Sequence, residues 1–104
     1  MTDIIIIETT FDDKAEAIKC RNYLITKKLA ACVQMLGPIE STYEWEGQIA
    51  TEEEWCLRIK TKSEKFDQVE KTIQDLHSYD VPEIIAYPVE YVSDGYSKWL
   101  GSVV

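Results

Sequence analysis

The stretch from Ala31 to Thr61 limits the possible folds more than any other part of the chain. On its first arm, Ala31, Val33 and Met35 alternate with Cys32, Gln34 and Leu36. Beyond Gly37-Pro38 the alternation resumes, with Ile39, Ser41, Tyr43 and Trp45 on one side and Glu40, Thr42, Glu44 and Glu46 on the other. Glu46-Gly47-Gln48 forms the turn, where Gly47 can take the positive φ that a tight connection needs. On the return arm, Trp55, Leu57, Ile59 and Thr61 share one face, and Cys56, Arg58, Lys60 and Lys62 the other. Sustained period-two alternation predicts two half-buried antiparallel strands in one long β-hairpin.

That hairpin is too long for its own domain. Each arm of about twelve residues or more spans roughly 40 Å at about 3.3 Å per residue. A chain of 104 residues packs to a diameter on the order of 35 Å. The far end, with Tyr43, Trp45 and Ile49, is therefore expected to overhang. An isolated two-stranded ribbon is marginal in water, and an exposed aromatic edge invites pairing. The expected solution is burial against further copies of the chain, which makes Tyr43, Trp45 and Ile49 candidate interface residues and puts clefts between subunits.

The flanking segments complete a pattern. Ile4 to Ile7 read as a short strand buried on both faces in mid-sheet. Asp12 or Asp13 can cap a helix over roughly Asp13 to Lys28, whose expected buried stripe is Ala17, Ile18, Leu24, Ile25 and Leu29. Gly37-Pro38 inside the first hairpin arm implies a bulge or an outer edge, because proline removes a ladder donor. Ser63 is placed to cap a second helix, about Glu64 to His77, with Phe66, Val69, Ile73 and Leu76 on its apolar face. A loop at Ser78 to Pro82 leads to a last strand, Glu83 to Tyr91, in which Pro88 again implies an edge or bulge. Ser93-Asp94-Gly95 opens a short helix presenting Tyr96, Trp99 and Leu100. The order β-α-β-β-α-β-α in a single domain over residues 1–104 predicts an α+β fold: a ferredoxin-like βαββαβ sandwich with an extended central hairpin and an extra C-terminal helix.

Bulk properties narrow the function. A formal net charge of -8 argues against nucleic acid and anionic membranes, since phosphate recognition needs clustered Lys and Arg. The sign of the charge suits cations, although an acidic surface also serves solubility alone. Cys20, Cys32 and Cys56 are odd in number and form no CxxC pair, which points to a reducing compartment. The beginning of the chain carries no basic segment, and its apolar run is only Ile4 to Ile7, so a cytoplasmic protein is expected. No hydrolase, phosphate-loop, dinucleotide or zinc-protease motif is present. A Cys32–His77 nucleophile–base pair would need the fold to bring the two together. Cys32 also reads simply as a small apolar strand residue, so no enzyme activity is expected.

A metal centre needs convergent ligands. The candidates are Glu8 at the end of the first strand, His77 at a helix C-terminus, and Glu83. A lone histidine at a helix C-terminus is more often a capping group than a ligand. Tyr43, Trp45, Trp55 and Trp99 read as packing residues. Lys60 lies on the face opposite Trp55 and Ile59, where it either lines an intersubunit cleft or is simply solvated.

Several blocks together resemble the CutA family of divalent-cation tolerance proteins. They are Lys28-Leu29-Ala30-Ala31-Cys32-Val33, Tyr43-Glu44-Trp45-Glu46-Gly47, Ile59-Lys60-Thr61, His77-Ser78-Tyr79-Asp80-Val81-Pro82-Glu83, Pro88-Val89 and Tyr96-Ser97-Lys98-Trp99-Leu100. The resemblance implies a cytoplasmic homotrimer whose hairpins extend neighbouring sheets, with links to copper tolerance and binding of a divalent cation such as Cu(II). It implies His77 as a ligand, with Glu8 as a further candidate, and Lys60, Tyr79, Glu83 and Trp45 as residues of the intersubunit cleft. Some family members carry cysteine where Glu8 stands and a second histidine where Leu76 stands. Replacement of thiolate by carboxylate shifts the preference from Cu(I) toward Cu(II) or Zn. The trimer is also similar to that of PII signalling proteins, which implies an alternative in which the clefts bind a small effector or a partner protein.

Overall fold

A computed structural model describes residues 2–104. The chain runs β1 (Ile4–Phe11), α1 (Lys14–Thr26), β2 (Cys32–Trp45), β3 (Gln48–Lys62), a 3-10 turn (Ser63–Lys65), α2 (Phe66–Leu76), β4 (Ile85–Pro88) and α3 (Asp94–Val103). The four strands form one antiparallel sheet in the order β2-β3-β1-β4. Each β-α-β crossover joins two strands with a third inserted between them, which is the ferredoxin-like arrangement expected from the pattern.

Period-two alternation sorts the layers. Ile7 and Phe11 of β1, Leu57 and Ile59 of β3, and Ala17, Cys20, Leu24, Val69 and Ile73 of the two long helices make the main core. The opposite sheet face is covered at one end by α3, whose Leu100 packs on Ile4 and Ala31. Both alternatives expected at Gly37-Pro38, an outer edge and a bulge, occur: β2 is an outer strand, and its register with β3 shifts between Leu36 and Ile39. Pro88 likewise lies on the edge strand β4.

Three boundaries and one buried stripe differ from the sequence reading. α1 ends at Thr26, because Lys28 takes a left-handed φ of 57° and the Leu29 N–H turns back to the Leu24 carbonyl. Its buried stripe is Ala17, Cys20 and Leu24, while Ile25 is exposed. A spacing of three then four residues keeps one narrow line against the sheet, and Cys20 serves as a small apolar side chain. Ser63 makes no side-chain cap; its residue opens a 3-10 turn instead, with its N–H bonded to the Asp3 carbonyl. β4 is only Ile85–Pro88, since β1 offers it partners only from Ile5 to Glu8.

The hairpin overhangs as expected, and the molecule measures 46 × 26 × 22 Å. β1 pairs with β3 only from Trp55 to Lys62. Beyond Trp55, Gln48 to Glu54 pair with β2 alone. At the tip, Glu46 and Gly47 both have positive φ (50° and 79°), the backbone of a two-residue type I′ turn.

The register shift has a further effect. Leu36 opposes Cys56, but Ile39 opposes Glu54, so β2 holds one residue more than β3 across this interval. One extra residue turns every later side chain of that strand to the other face. Val33 and Met35 pack on the helix side. Ile39, Ser41, Tyr43 and Trp45, although of the same parity, stand on the open face with Glu54, Glu52 and Ala50. The open space at Gly37 is minimal: a Cβ there would lie 2.6 Å from Trp55 Cδ1 and 3.1 Å from the Glu54 carbonyl oxygen. Only glycine fits that approach.

Candidate functional site

The turned-over ribbon makes one wall of a groove of about 690 Å³. Tyr43 and Trp45 come from β2, and Ala50, Glu52 and Glu54 from β3. Thr10 at the end of β1 forms the floor, and the loop after α2 supplies Tyr79, Asp80, Val81 and Glu83 as the second wall.

His77 holds that loop in place. It leaves α2 in an extended conformation (φ -91°, ψ 140°). Its ring stacks on Phe11 with centroids 4.2 Å apart and 12° between planes. Nδ1 accepts from the Tyr79 N–H at 3.1 Å, so Nε2 carries the proton and donates to the Thr10 carbonyl at 2.6 Å. The Tyr79 ring lies beside that of His77, and its hydroxyl donates to Glu54 Oε2 at 2.9 Å. The loop is thus tied to β1 through His77 and to β3 through Tyr79.

Four carboxylates line the groove, Glu52, Glu54, Asp80 and Glu83, with no Lys, Arg or His among the lining residues. Glu54 is only 6% exposed. Partial burial, then the charges of Glu54 and Glu8, hold the Glu83 carboxyl above the ordinary range. Burial and the bond to Glu54 push the Tyr79 hydroxyl up. Burial, reinforced by Glu8 and Glu83, raises the Cys56 thiol to about 11, which leaves it protonated and unreactive at neutral pH.

The residues expected from the sequence are distributed unevenly. Trp45, Tyr79 and Glu83 share the groove. Lys60 does not; its Nζ lies 5.7 Å from the Tyr96 ring centroid, toward α3. Tyr43 and Trp45 face the groove, but Ile49 opposes Glu44 on the other face of the ribbon. Glu8 and His77, the candidate metal ligands, lie on opposite sides of the sheet. Glu8 Oε2 accepts from the Tyr87 hydroxyl at 2.7 Å and lies 3.6 Å from Arg58 Nε, on the open face. His77 stacks on the helix-side Phe11 with both ring nitrogens engaged. Among the described residues, no group of three or more His, Cys, Asp or Glu side chains could hold a metal ion, so the residues of one chain do not fit such an ion. The sequence reading missed Glu54, the most buried carboxylate of the groove. The acidic run Glu52-Glu53-Glu54, which interrupts the period-two alternation of its strand, is the signal that could have found it.

The model of the CutA1 divalent ion tolerance protein family matches residues 5–103. The chain belongs to that family. The Archaeoglobus fulgidus divalent-cation tolerance protein CutA is 38% identical over 104 residues, covering 100% of this chain and 99% of that one. The chloroplastic protein CutA of Arabidopsis thaliana is 38% identical over 96 residues, 92% of this chain and 53% of that protein. The chain spans about half the length of the plant and Xenopus laevis relatives it matches. The crystal structure of CutA1 from Oryza sativa superposes with a TM-score of 0.94 at 35% identity, covering 98% of this chain and 94% of that one. The family is described by tolerance of divalent ions and not by a reaction. Among the described residues, no helix is long and apolar enough to cross a membrane.

Proposed function

We propose that the protein is a cytoplasmic homotrimer that acts in divalent-cation tolerance by binding rather than by catalysis, and that cations such as Cu(II) are taken at sites completed only between subunits. The distal ribbon carries this reading. It leaves Trp45 65% and Ile49 75% exposed on an ordered two-stranded extension with two free edges, a surface that a soluble chain gains by covering. The chemistry of one chain supports placing metal binding between subunits. A ligand at His77 would have to break a hydrogen bond to Thr10 or Tyr79, and Glu8 is committed to Arg58 and Tyr87. Three free cysteines suit a reducing cytoplasm.

Sedimentation velocity at micromolar concentration tests the assembly, with a trimer expected and a monomer overturning it. Calorimetric titration with Cu(II) and Zn(II) then tests the cation. Saturable binding by the wild-type trimer is expected, and its loss in a double variant, Trp45→Ala with Ile49→Ser, that no longer assembles. Equal binding by the dissociated chain would overturn the intersubunit placement.

A second reading is supported by one observation. Trp45, Tyr79 and Glu83 line a single groove, which suits the alternative of a PII-like trimer that takes a small effector.

A further inference from the structure

The first helix keeps apolar side chains outside the core. Only Ala17, Cys20 and Leu24 of α1 are buried. Ile25 is 42% exposed and Ile18 is half-buried. Both share a stripe with Lys14 and Arg21, since positions i, i+4, i+7 and i+11 fall on one side of a helix. That stripe lies on the flank turned away from α2. Glu16 and Tyr23, about half a turn round the helix, are the residues that meet α2 and the loop after it.

Charge follows the same helix. Residues 14–28 hold Lys14, Lys19, Arg21, Lys27 and Lys28 against the single acid Glu16, a local +4. The whole chain is -8, so the remainder carries -12. Asp12 and Asp13 precede the helix, and Asp13 is engaged in capping it. Among the described residues the ion pairs are Arg58–Glu8 and Lys71–Asp75, neither of which involves these five cations. Arg21 reaches only the Asn22 side chain, and Lys27 the ring of Tyr23 at 5.8 Å. A chain with 19 acidic residues thus leaves five clustered cations unneutralised. The assembly proposed above works through the ribbon beyond Trp55 and its free edges. α1 instead packs on the inner sheet through Ala17, Cys20 and Leu24, and its outer surface is not part of that contact.

The helix is 13 residues long, about 20 Å at about 1.5 Å per residue. A basic strip of that length in an acidic surface selects by length as well as by sign. An extended polyanion, such as a nucleic acid or an anionic membrane, overruns the strip and meets the surrounding negative charge. An acidic peptide of about six extended residues matches the strip and can lay apolar side chains on Ile18 and Ile25. We propose that the outer surface of α1 is a docking site for a short acidic segment of a partner protein, with Lys14 and Arg21 as the nearest counter-charges and Ile18 and Ile25 as the apolar contact.

The test is calorimetric titration of the full assembled chain with the blocked peptide EDLEFD, with its amide analogue in which Gln and Asn replace Glu and Asp, with an oligothymidylate, and with phosphatidylserine vesicles. Saturable binding of the acidic peptide is expected, weakening as salt is raised, with none of the amide analogue. Lys14→Gln combined with Arg21→Gln should weaken it by about ten-fold, and Ile25→Ser by about five-fold. Thermal melting and sedimentation verify that each variant folds and assembles as the wild type does. Equal binding of the amide analogue would overturn the counter-charge, and with it the proposal. Unchanged affinity in the variants would put the peptide elsewhere and overturn the site. Tighter binding of the oligothymidylate or the vesicles would make α1 a general polyanion surface, against the partner named here. Peptide binding by the dissociated Trp45→Ala, Ile49→Ser chain alone would assign α1 to the contact between copies, and absence of any binding by the wild type would likewise overturn the proposal.

Discussion

The two halves of the hairpin are built from the same two strands with the same alternating pattern, yet they live in different environments. In the inner half, Trp55 to Lys62 run between two neighbouring strands, and Leu57, Ile59 and Thr61 are fully buried beneath the helices. In the outer half, Gln48 to Glu54 pair with one neighbouring strand alone. The boundary falls where β1 begins to pair, at Phe11 opposite Trp55, and the bulge sits beside it. Alternation describes two faces; it does not say what covers either of them. The comparison also shows two uses of one pattern. Inside, it holds a core; outside, after the extra residue in β2, it presents aromatic rings and carboxylates to a groove.

The largest expected contrast comes from truncation on each side of the boundary. Leu57→Ala should cost about 2–5 kcal/mol, the usual range for a fully buried leucine. Ile49→Ser should change the stability of an isolated chain by no more than about 0.5 kcal/mol. Urea denaturation of the two variants measures this directly. A large loss for Ile49→Ser that depends on protein concentration would show the outer half buried by other copies.

The boundary itself can be disturbed next. Gly37→Ala should cost about 1–3 kcal/mol, because its Cβ would meet the Trp55 ring and the backbone of Glu54. Deletion of Pro38 removes the extra residue. It should turn Tyr43 and Trp45 away from the groove, abolishing nuclear Overhauser contacts between Tyr43 and residues 79–83. Persistence of those contacts would mean that the bulge does not set the face.

His77→Ala should destabilise by about 1–3 kcal/mol, since it strands the Thr10 carbonyl and the Tyr79 N–H and removes the stack on Phe11. Cu(II) affinity that falls while thermal stability stays constant would instead make this residue a ligand.

The smallest effect concerns Glu83. A carboxyl whose value is raised on folding binds more protons in the native state than in the unfolded one. Stability is therefore lost as pH rises from the ordinary carboxylate range through the raised folded value. Glu83→Gln should raise Tm modestly at neutral pH and have no effect at pH below the carboxylate range. An equal shift at both would point to packing rather than charge.

The order of elements, the mid-sheet position of β1, the edge positions of both prolines and the overhang were all legible from residue order. Each depends on local rules: side-chain period, the missing proline donor and the rise per residue. Family blocks marked Tyr79 and Glu83, which do line the groove, because such blocks record chemistry independent of where the chain goes. Face and neighbourhood were not legible. Parity across Gly37-Pro38 depends on whether one residue or none is left unpaired, which β3 decides through its register. The separation of Glu8 from His77 depends on which side of a sheet each meets, and the burial of Glu54 on a tyrosine 25 positions away. Local sequence sets the period of each strand. Only the packed sheet decides which residues that period brings together, because register is an interaction between strands and not a property of either one.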